Sequence, residues 1–350
     1  MESFVLPDGH PQEAATEYGP GGHRRWFVKY ADPGLNILRA GVRGVLRRVF
    51  DQERRTELKR LQGLARKRLA PVLALVNGTF TTQELLSELV CRLPQDFEIL
   101  MVHSSFDGFL PMYKGAAKEL VSALIDFCGP NRTLVMPAFV MGGRNYDTSA
   151  YFESRPFDVR HTPSEVGLIS EIFRRTPNVL RSLHPTCSLC ALGPLAQEVT
   201  AGHHISRSGM SPDGPFGVMT RRGTAILGMG IEYFRCLTHV HTAGDQMGDA
   251  FPIKFSNSGW TQVTLVDYEG SRYEYKLGLP DRTKKLDLTI LWSVLSKGEL
   301  VEWRFHGVPM FMVPQAGVLT ERLIEAARRG VTIYGTVPAD NVHLSSTGRQ

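Results

Sequence analysis

From residue 97 onward the chain alternates short apolar runs with helical patterns, and that alternation restricts the fold more than any other feature. Residues 97–103 and 133–139 read as strands, and 116–127 and 167–175 as amphipathic helices. Residues 188–192, 225–229 and 263–268 are further strand candidates. A late helix over 319–329 runs into a strand-like 331–334. Apolar strands spaced by helices predict an α/β domain with a mixed sheet flanked by helices, partly parallel early and antiparallel later.

The segment before this domain has a different character. Residues 1–35 carry Gly19, Pro20, Gly21 and Gly22, then Asp32, Pro33 and Gly34, and read as a loosely ordered lead-in. Residues 37–75 have a helical pattern that Asn77 and Gly78 interrupt. Thr81, three residues before Glu84, is positioned to cap a helix running to Leu89 and Cys91. The chain therefore divides into an N-terminal extension, 1–80, and an α/β domain, 81–350.

Charge follows the same division. Residues 1–95 hold 15 Lys/Arg against 10 Asp/Glu, whereas residues 96–350 hold 25 of each. The excess concentrates in 39–68, where Arg43, Arg47, Arg48, Arg54, Arg55, Lys59 and Arg60 alternate with Val42, Leu46, Phe50, Leu58 and Leu61. That spacing fits a basic amphipathic helix, either solvated on the domain or directed at a membrane surface, a polyphosphorylated ligand or an acidic protein. No base-reading nucleic-acid motif is present. No run approaches the ~18 apolar residues that cross a bilayer. Five scattered cysteines suit a reducing compartment, so the expected location is the cytoplasm.

Four clusters carry chemistry. His103, Ser104 and Ser105 end a strand ahead of Gly108, Gly115 and a helix, an arrangement that either offers backbone N–H groups to an anion or is a plain capped loop. Without Gly-Lys-Ser/Thr it is not a triphosphate loop. Asp158, ahead of Thr162, is either a holder of a substrate amine or a turn acceptor for its own backbone. His184, after Arg181 and Ser182, is directed by Pro185. The neighbouring Cys187 and Cys190 have CxxC spacing but no second pair, so neither zinc nor redox chemistry is expected. Thr238, His239, His241 and Asp245 form the fourth. Asp245 follows His241 by four and so falls on the same helical face, a position from which a carboxylate orients an imidazole base. His239 and His241 share a face if extended, the only basis for a metal-dependent hydrolase, and no third ligand stands nearby.

The order of these motifs is informative. His103-Ser104-Ser105 is followed by a helix, then Gly129-Pro130-Asn131-Arg132-Thr133-Leu134-Val135-Met136-Pro137. Next come Thr162-Pro163-Ser164-Glu165 with Gly167, Arg181-Ser182 with His184-Pro185, Leu192-Gly193-Pro194-Leu195-Ala196, Gly209-Met210-Ser211-Pro212, and Thr238 with His241 and Ala243. From about residue 81 to 249 this resembles the aminoglycoside 3-N-acetyltransferase family of antibiotic N-acetyltransferases. The resemblance implies a mixed α/β fold distinct from GNAT, and transfer of an acyl group from acetyl-CoA, or another acyl-CoA, to an amino group of a sugar-containing substrate without a metal. It implies His241 as general base, and it places His103, Ser104, Ser105 and Ser182 along the CoA cleft, with His184 as a second cleft histidine. The residues themselves add Asp245 as the expected partner of His241, Thr238 as a further cofactor-cleft candidate and Asp158 as the candidate for the amine substrate.

Two positions depart from the family pattern: Gly244 stands where it carries a glutamate, and Leu110 where it carries the first glycine after the H-S-S loop. The balanced charge of residues 96–350 also points to an amino sugar less cationic than an aminoglycoside. The alternative reading keeps the fold and loses the chemistry, leaving a CoA-binding or inactive scaffold protein.

Overall fold

The computed structural model describes residues 68–337 except 144, 145, 207, 256–258, 280 and 282. The amphipathic pattern at 39–68 therefore lies outside the described residues apart from Arg68. Among the described residues no helix is long and apolar enough to cross a membrane.

The strand Ile99–Ser104 (β1) sits at the centre because it is apolar on both faces. Leu100 and Val102 enter one core, while Ile99 and Met101 enter the other. Only a strand covered on both sides buries such a run. Thr133–Pro137 (β2) pairs parallel to it on one side. The remaining strands are Phe157–Asp158 (β3), Leu180–Arg181 (β4), Leu189–Leu192 (β5), Thr224–Met229 (β6), Trp260–Val266 (β7), Arg272–Gly278 (β8), Val301–Phe305 (β9) and Val308–Val313 (β10). β6 pairs parallel to the other side of β1, with Gly228 opposite His103. Outside this parallel trio, β5 and β4 add antiparallel beyond β2, and β10 and β9 add antiparallel beyond β6. The result is a seven-stranded mixed sheet in the order β4-β5-β2-β1-β6-β10-β9.

Helices Thr82–Arg92, Ala117–Cys128 and Leu168–Arg174 cover one face and Pro215–Arg221 and Ala316–Arg328 the other. The sheet tolerates no side chain at position 228, where a Cβ would run into the Phe311 ring of β10. A separate three-stranded sheet, β3-β7-β8, closes a third core around Phe157, Val263 and Leu265.

The α/β architecture and its helices follow the sequence reading closely. The cap on Thr82–Arg92 is a full capping box: Thr81 N–H donates to Glu84 at 2.8 Å and Glu84 N–H to Thr81 Oγ1 at 3.3 Å. The sequence reading missed β8, β9 and β10. In β8 and β9 the alternation is diluted by charged residues such as Arg272, Glu274, Glu302 and Arg304, while β10 is a short apolar run without alternation that follows β9 after a tight turn. The strand-like 331–334 is a two-residue strand, Val331–Thr332 (β11), that turns at once to pair with Gly335–Thr336 (β12). Phe80, on the extension side of the expected boundary, is a core residue bonded to Met112 and Lys114.

Candidate functional site

Three histidine-centred clusters lie on the side of the sheet that holds Ile99 and Met101. The deepest is His103 and His239. His103 continues the alternation of β1 onto that face and is 3 % exposed, and His239 is fully buried. The Thr220 hydroxyl donates to the Phe216 carbonyl at 2.9 Å, so it accepts from His239 Nε2–H at 3.2 Å. His103 Nε2, His239 Nδ1 and the Thr238 and Thr242 hydroxyls have no hydrogen-bond partner among the described residues. Burial lowers His103 to about 4; burial, aided by His103, lowers His239 to about 3. Both are neutral at physiological pH.

The second cluster begins with Arg181, whose guanidinium is buried with no carboxylate in ion-pair contact among the described residues. It donates to Ser188 Oγ at 3.0 Å, to the Ala138 carbonyl at 2.6 Å and to the Thr162 carbonyl, and it stacks 4.7 Å over the Phe157 ring. Burial pulls it down to about 10, and it serves as a clamp between β4, β5 and the loop after β2. Ser182 accepts from Leu189 N–H at 2.9 Å and donates to His203 Nδ1 at 2.8 Å, while His203 Nε2–H donates to the Gly209 carbonyl at 3.0 Å. His184 stacks on His203 with ring centres 4.6 Å apart. His184 Nδ1 accepts the N–H groups of Thr186 and Cys187, at 3.3 and 3.0 Å, which leaves Nε2–H to donate to Tyr275 Oη at 3.0 Å. Desolvation holds His184 well below its ordinary value and His203 at about 4.

The third cluster opens to solvent through a cavity of about 100 Å³. Its walls include His241, Gly244 and Asp245, with Val240, Phe251 and Leu323 on the apolar side and Tyr334 beside the histidine. His241 Nδ1 is 2.8 Å from Tyr334 Oη, and no hydrogen bond among the described residues engages Nε2. Desolvation lowers His241 to about 4. Burial, with a smaller effect of the Asp245 charge, pushes the Tyr334 phenol up to about 12. Asp245 is exposed as a residue, but its carboxylate meets the 208–210 loop, where Ser208 Oγ–H and the Met210 N–H donate to it. Desolvation there raises it despite those bonds.

The structure brings His241 and Asp245 to one cavity, but the imidazole is held by Tyr334 instead of by Asp245. The short helix Thr242–Met247 begins one residue after His241, and Asp245 turns back to the 208–210 loop. Ser182 and His184 lie behind that loop, 0 and 2 % exposed, and brace it. Asp158 is a turn acceptor: it takes the N–H groups of Arg160 and His161 at 2.8 and 3.0 Å and bonds the His161 ring at 2.9 Å. Ser104 ends β1 where it pairs with β6, and Ser105 follows it. Ser105 N–H donates to Met229 O at 3.0 Å, and the chain then enters a four-residue turn of helix, Phe106–Phe109. The next helix start is occupied by its own Glu119, which accepts from Ala116 N–H at 3.4 Å. His203, Tyr275, Tyr334 and Ser208 were missed because each reaches the site from far along the chain. The Gly209-Met210-Ser211-Pro212 motif was the one signal that marked this loop. Among the described residues no group of three or more metal-ligating side chains occurs.

Comparison with known proteins agrees with this architecture. Residues 101–286, more than half of the chain, match the family profile described as aminoglycoside 3-N-acetyltransferase. The chain belongs to that family. It is 31 % identical over 144 residues to aminoglycoside N(3)-acetyltransferase III of Salmonella sp, an alignment covering 36 % of this chain and 48 % of that protein. It is 24 % identical over 231 residues to aminoglycoside N(3)-acetyltransferase VII of Streptomyces paromomycinus, covering 61 % and 80 %. The chain thus spans about half the length of the first of these relatives. Among solved structures, aminoglycoside acetyltransferase AAC(3)-IIb superposes with a TM-score of 0.58 at 19 % identity, over 75 % of this chain and all of that one. AAC-IIIb in its binary complex with CoASH gives 0.57 at 21 %, over 74 % and 99 %. These likenesses establish a shared fold.

Proposed function

We propose that the protein is a CoA-dependent N-acetyltransferase acting on an amino group of an amino sugar or aminoglycoside-like substrate. The observation that carries this reading is the His241 cavity: a neutral imidazole with one nitrogen held by Tyr334, in a partly apolar pocket that Asp245 also lines. An ammonium group cannot attack a thioester until it loses a proton. In the tautomer that base catalysis requires, His241 Nδ1–H donates to the Tyr334 oxygen and Nε2 presents its lone pair to the cavity. Nε2 takes the proton from the substrate amine, and Tyr334 continues to accept from Nδ1–H once the ring is charged.

Asp245 attracts the cationic amine before that transfer and is positioned for it by Ser208 and Met210. The cavity suits the reacting end of an acyl thioester and an amine, with Val240, Phe251 and Leu323 as an apolar wall that excludes water. Acetyl-CoA, when bound, supplies the activated acyl group; the residues above supply proton removal, orientation and desolvation. Relatives named aminoglycoside N(3)-acetyltransferases, and a fold neighbour solved with CoASH, support the same choice of co-substrate and acceptor class.

The test is calorimetry with acetyl-CoA and CoA, followed by a thiol-release screen of amino-sugar acceptors. Micromolar CoA binding and turnover that His241→Ala abolishes, with CoA affinity kept within a few-fold, are expected. CoA binding without transfer to any amine would instead favour a binding protein, the reading that Gly244 in place of the family glutamate motivates.

A further inference from the structure

The cavity beside His241 is bounded by an aromatic corner. Phe251 and Phe255 stand with ring centres 6.2 Å apart and planes only 6° from parallel. Tyr334 meets both edge-on, Phe251 at 6.4 Å and 87° and Phe255 at 5.0 Å and 81°. All three line the cavity. Phe251 is buried, whereas Phe255 is 48 % exposed. A half-exposed ring that continues an aromatic wall out of a cavity offers its face to whatever enters. The negative face of such a ring attracts both an ammonium group and the C–H edges of a saturated ring.

Charge and size narrow the occupant further. Among the described residues that line the cavity Asp245 is the single acid, and its carboxylate already accepts from Ser208 and Met210. No lysine or arginine lines it, and His241 is neutral. The lining therefore balances one ammonium group. A polycation would press further charges against Phe251, Phe255, Val240 and Leu323, none of which replaces the water those charges lose. The volume of about 100 Å³ falls below the roughly 150 Å³ in which an apolar cavity takes up one benzene ring. It admits the amine-bearing edge of a single ring, whose remaining face lies at the mouth against Phe255.

We propose that Phe255, with Phe251 and Tyr334, selects acceptors that carry one amine on a ring with an apolar face, such as a deoxy amino sugar, over polycationic acceptors. The inference rests on the acceptor site assigned above to the His241 cavity and narrows its substrate class.

The test is a ligand-observed NMR titration of the full chain, with and without CoA, using cyclohexylamine, daunosamine (a deoxy sugar with one amine) and the polycation neomycin. Both monoamines are expected to bind at least about tenfold more tightly than neomycin. Phe255→Ala is expected to weaken both monoamines about fivefold and Phe255→Trp to keep their binding, with CoA affinity unchanged in each. Phe255→Glu adds a second carboxylate and is expected to favour neomycin. Unchanged melting temperatures would show that the variants are folded. Neomycin binding as tight as that of the monoamines, no monoamine binding in either condition, or monoamine binding that Phe255→Ala leaves intact overturns the proposal. The titration needs no turnover, so the two readings fail separately. Monoamine binding in the expected order without acetyl transfer would remove the catalytic reading alone, and transfer that prefers neomycin would remove the selection alone.

Discussion

His203 Nε2–H donates to the carbonyl of Gly209 at 3.0 Å, and through this bond the buried Ser182–His203 pair holds the loop that carries Ser208 and Met210 to Asp245. The approach is close: a Cβ at Gly209 would lie 2.6 Å from Cys187 Sγ. The carboxylate of the cavity is thus positioned from the second histidine cluster, on residues that do not line the cavity.

Replacing His203 with alanine leaves the Gly209 carbonyl and Ser182 hydroxyl unpaired in a buried site. A loss of about 2–4 kcal/mol of stability is expected, read as a lower melting temperature. Because the loop positions Asp245, KM for the amine acceptor should rise more than kcat falls, while CoA affinity stays near wild type. An equal fall in kcat and kcat/KM with KM unchanged would show that the loop does not act through acceptor binding.

Tyr334→Phe removes the partner of His241 Nδ1 and keeps the ring that packs against Phe255 at 5.0 Å. A hydrogen bond of about 1 kcal/mol that strengthens as the imidazole charges corresponds to roughly a fivefold fall in kcat. Binding of CoA should be unaffected. If kcat is unchanged in this variant, the base is not oriented by Tyr334.

Stability should depend on acid in a defined window. His103, His184, His203 and His239 are buried and neutral, with values lowered to about 4, well below normal, about 4 and about 3. Unfolded, each titrates near 6.5. Above that pH both states are neutral and their contribution is complete. As pH falls from about 6.5 toward 4, the unfolded chain takes up protons that the folded chain refuses, so stability is lost at up to about 1.4 kcal/mol per pH unit per histidine. Chemical denaturation at pH 7, 6 and 5 should show the midpoint moving steadily down. A midpoint flat over that range would mean that these rings are hydrated in the native state.

The parts of this molecule legible in the sequence are those with a local cause. The central strands show because β1 must be apolar on both faces, and the helix Thr82–Arg92 because its capping box lies within four residues. His241 and Asp245 stood out as a histidine and an acid one helical turn apart, and they do share a cavity. Their connections were not legible. Tyr334 meets His241 across 93 residues, Tyr275 meets His184 across 91, and Ser208 meets Asp245 across 37. No spacing rule reaches that far. β10 and the edge strand β9 were missed for a related reason, since β10 finds its place by pairing with the distant β6, and β9 by pairing with β10.

Gly244 is one of the two positions where the sequence departs from the pattern it resembles, and its surroundings state what a return would do. Its backbone lies in the helix Thr242–Met247, and a Cβ there would meet only the Phe251 ring, at 3.6 Å, an ordinary van der Waals contact. Glycine is the weaker helix former, so Gly244→Glu should leave the melting temperature unchanged or raise it slightly. Position 244 lines the cavity three residues after His241, on the same helical face, so the new carboxylate would lie beside the imidazole. A negative charge there favours the protonated ring and lifts His241 from about 4 toward neutrality. A base nearer the working pH accepts a proton with more driving force, so kcat should increase, and the acid limb of the rate profile should move to higher pH. A stable Gly244→Glu protein with a shifted acid limb and no gain in kcat would show that proton removal by His241 does not limit the reaction.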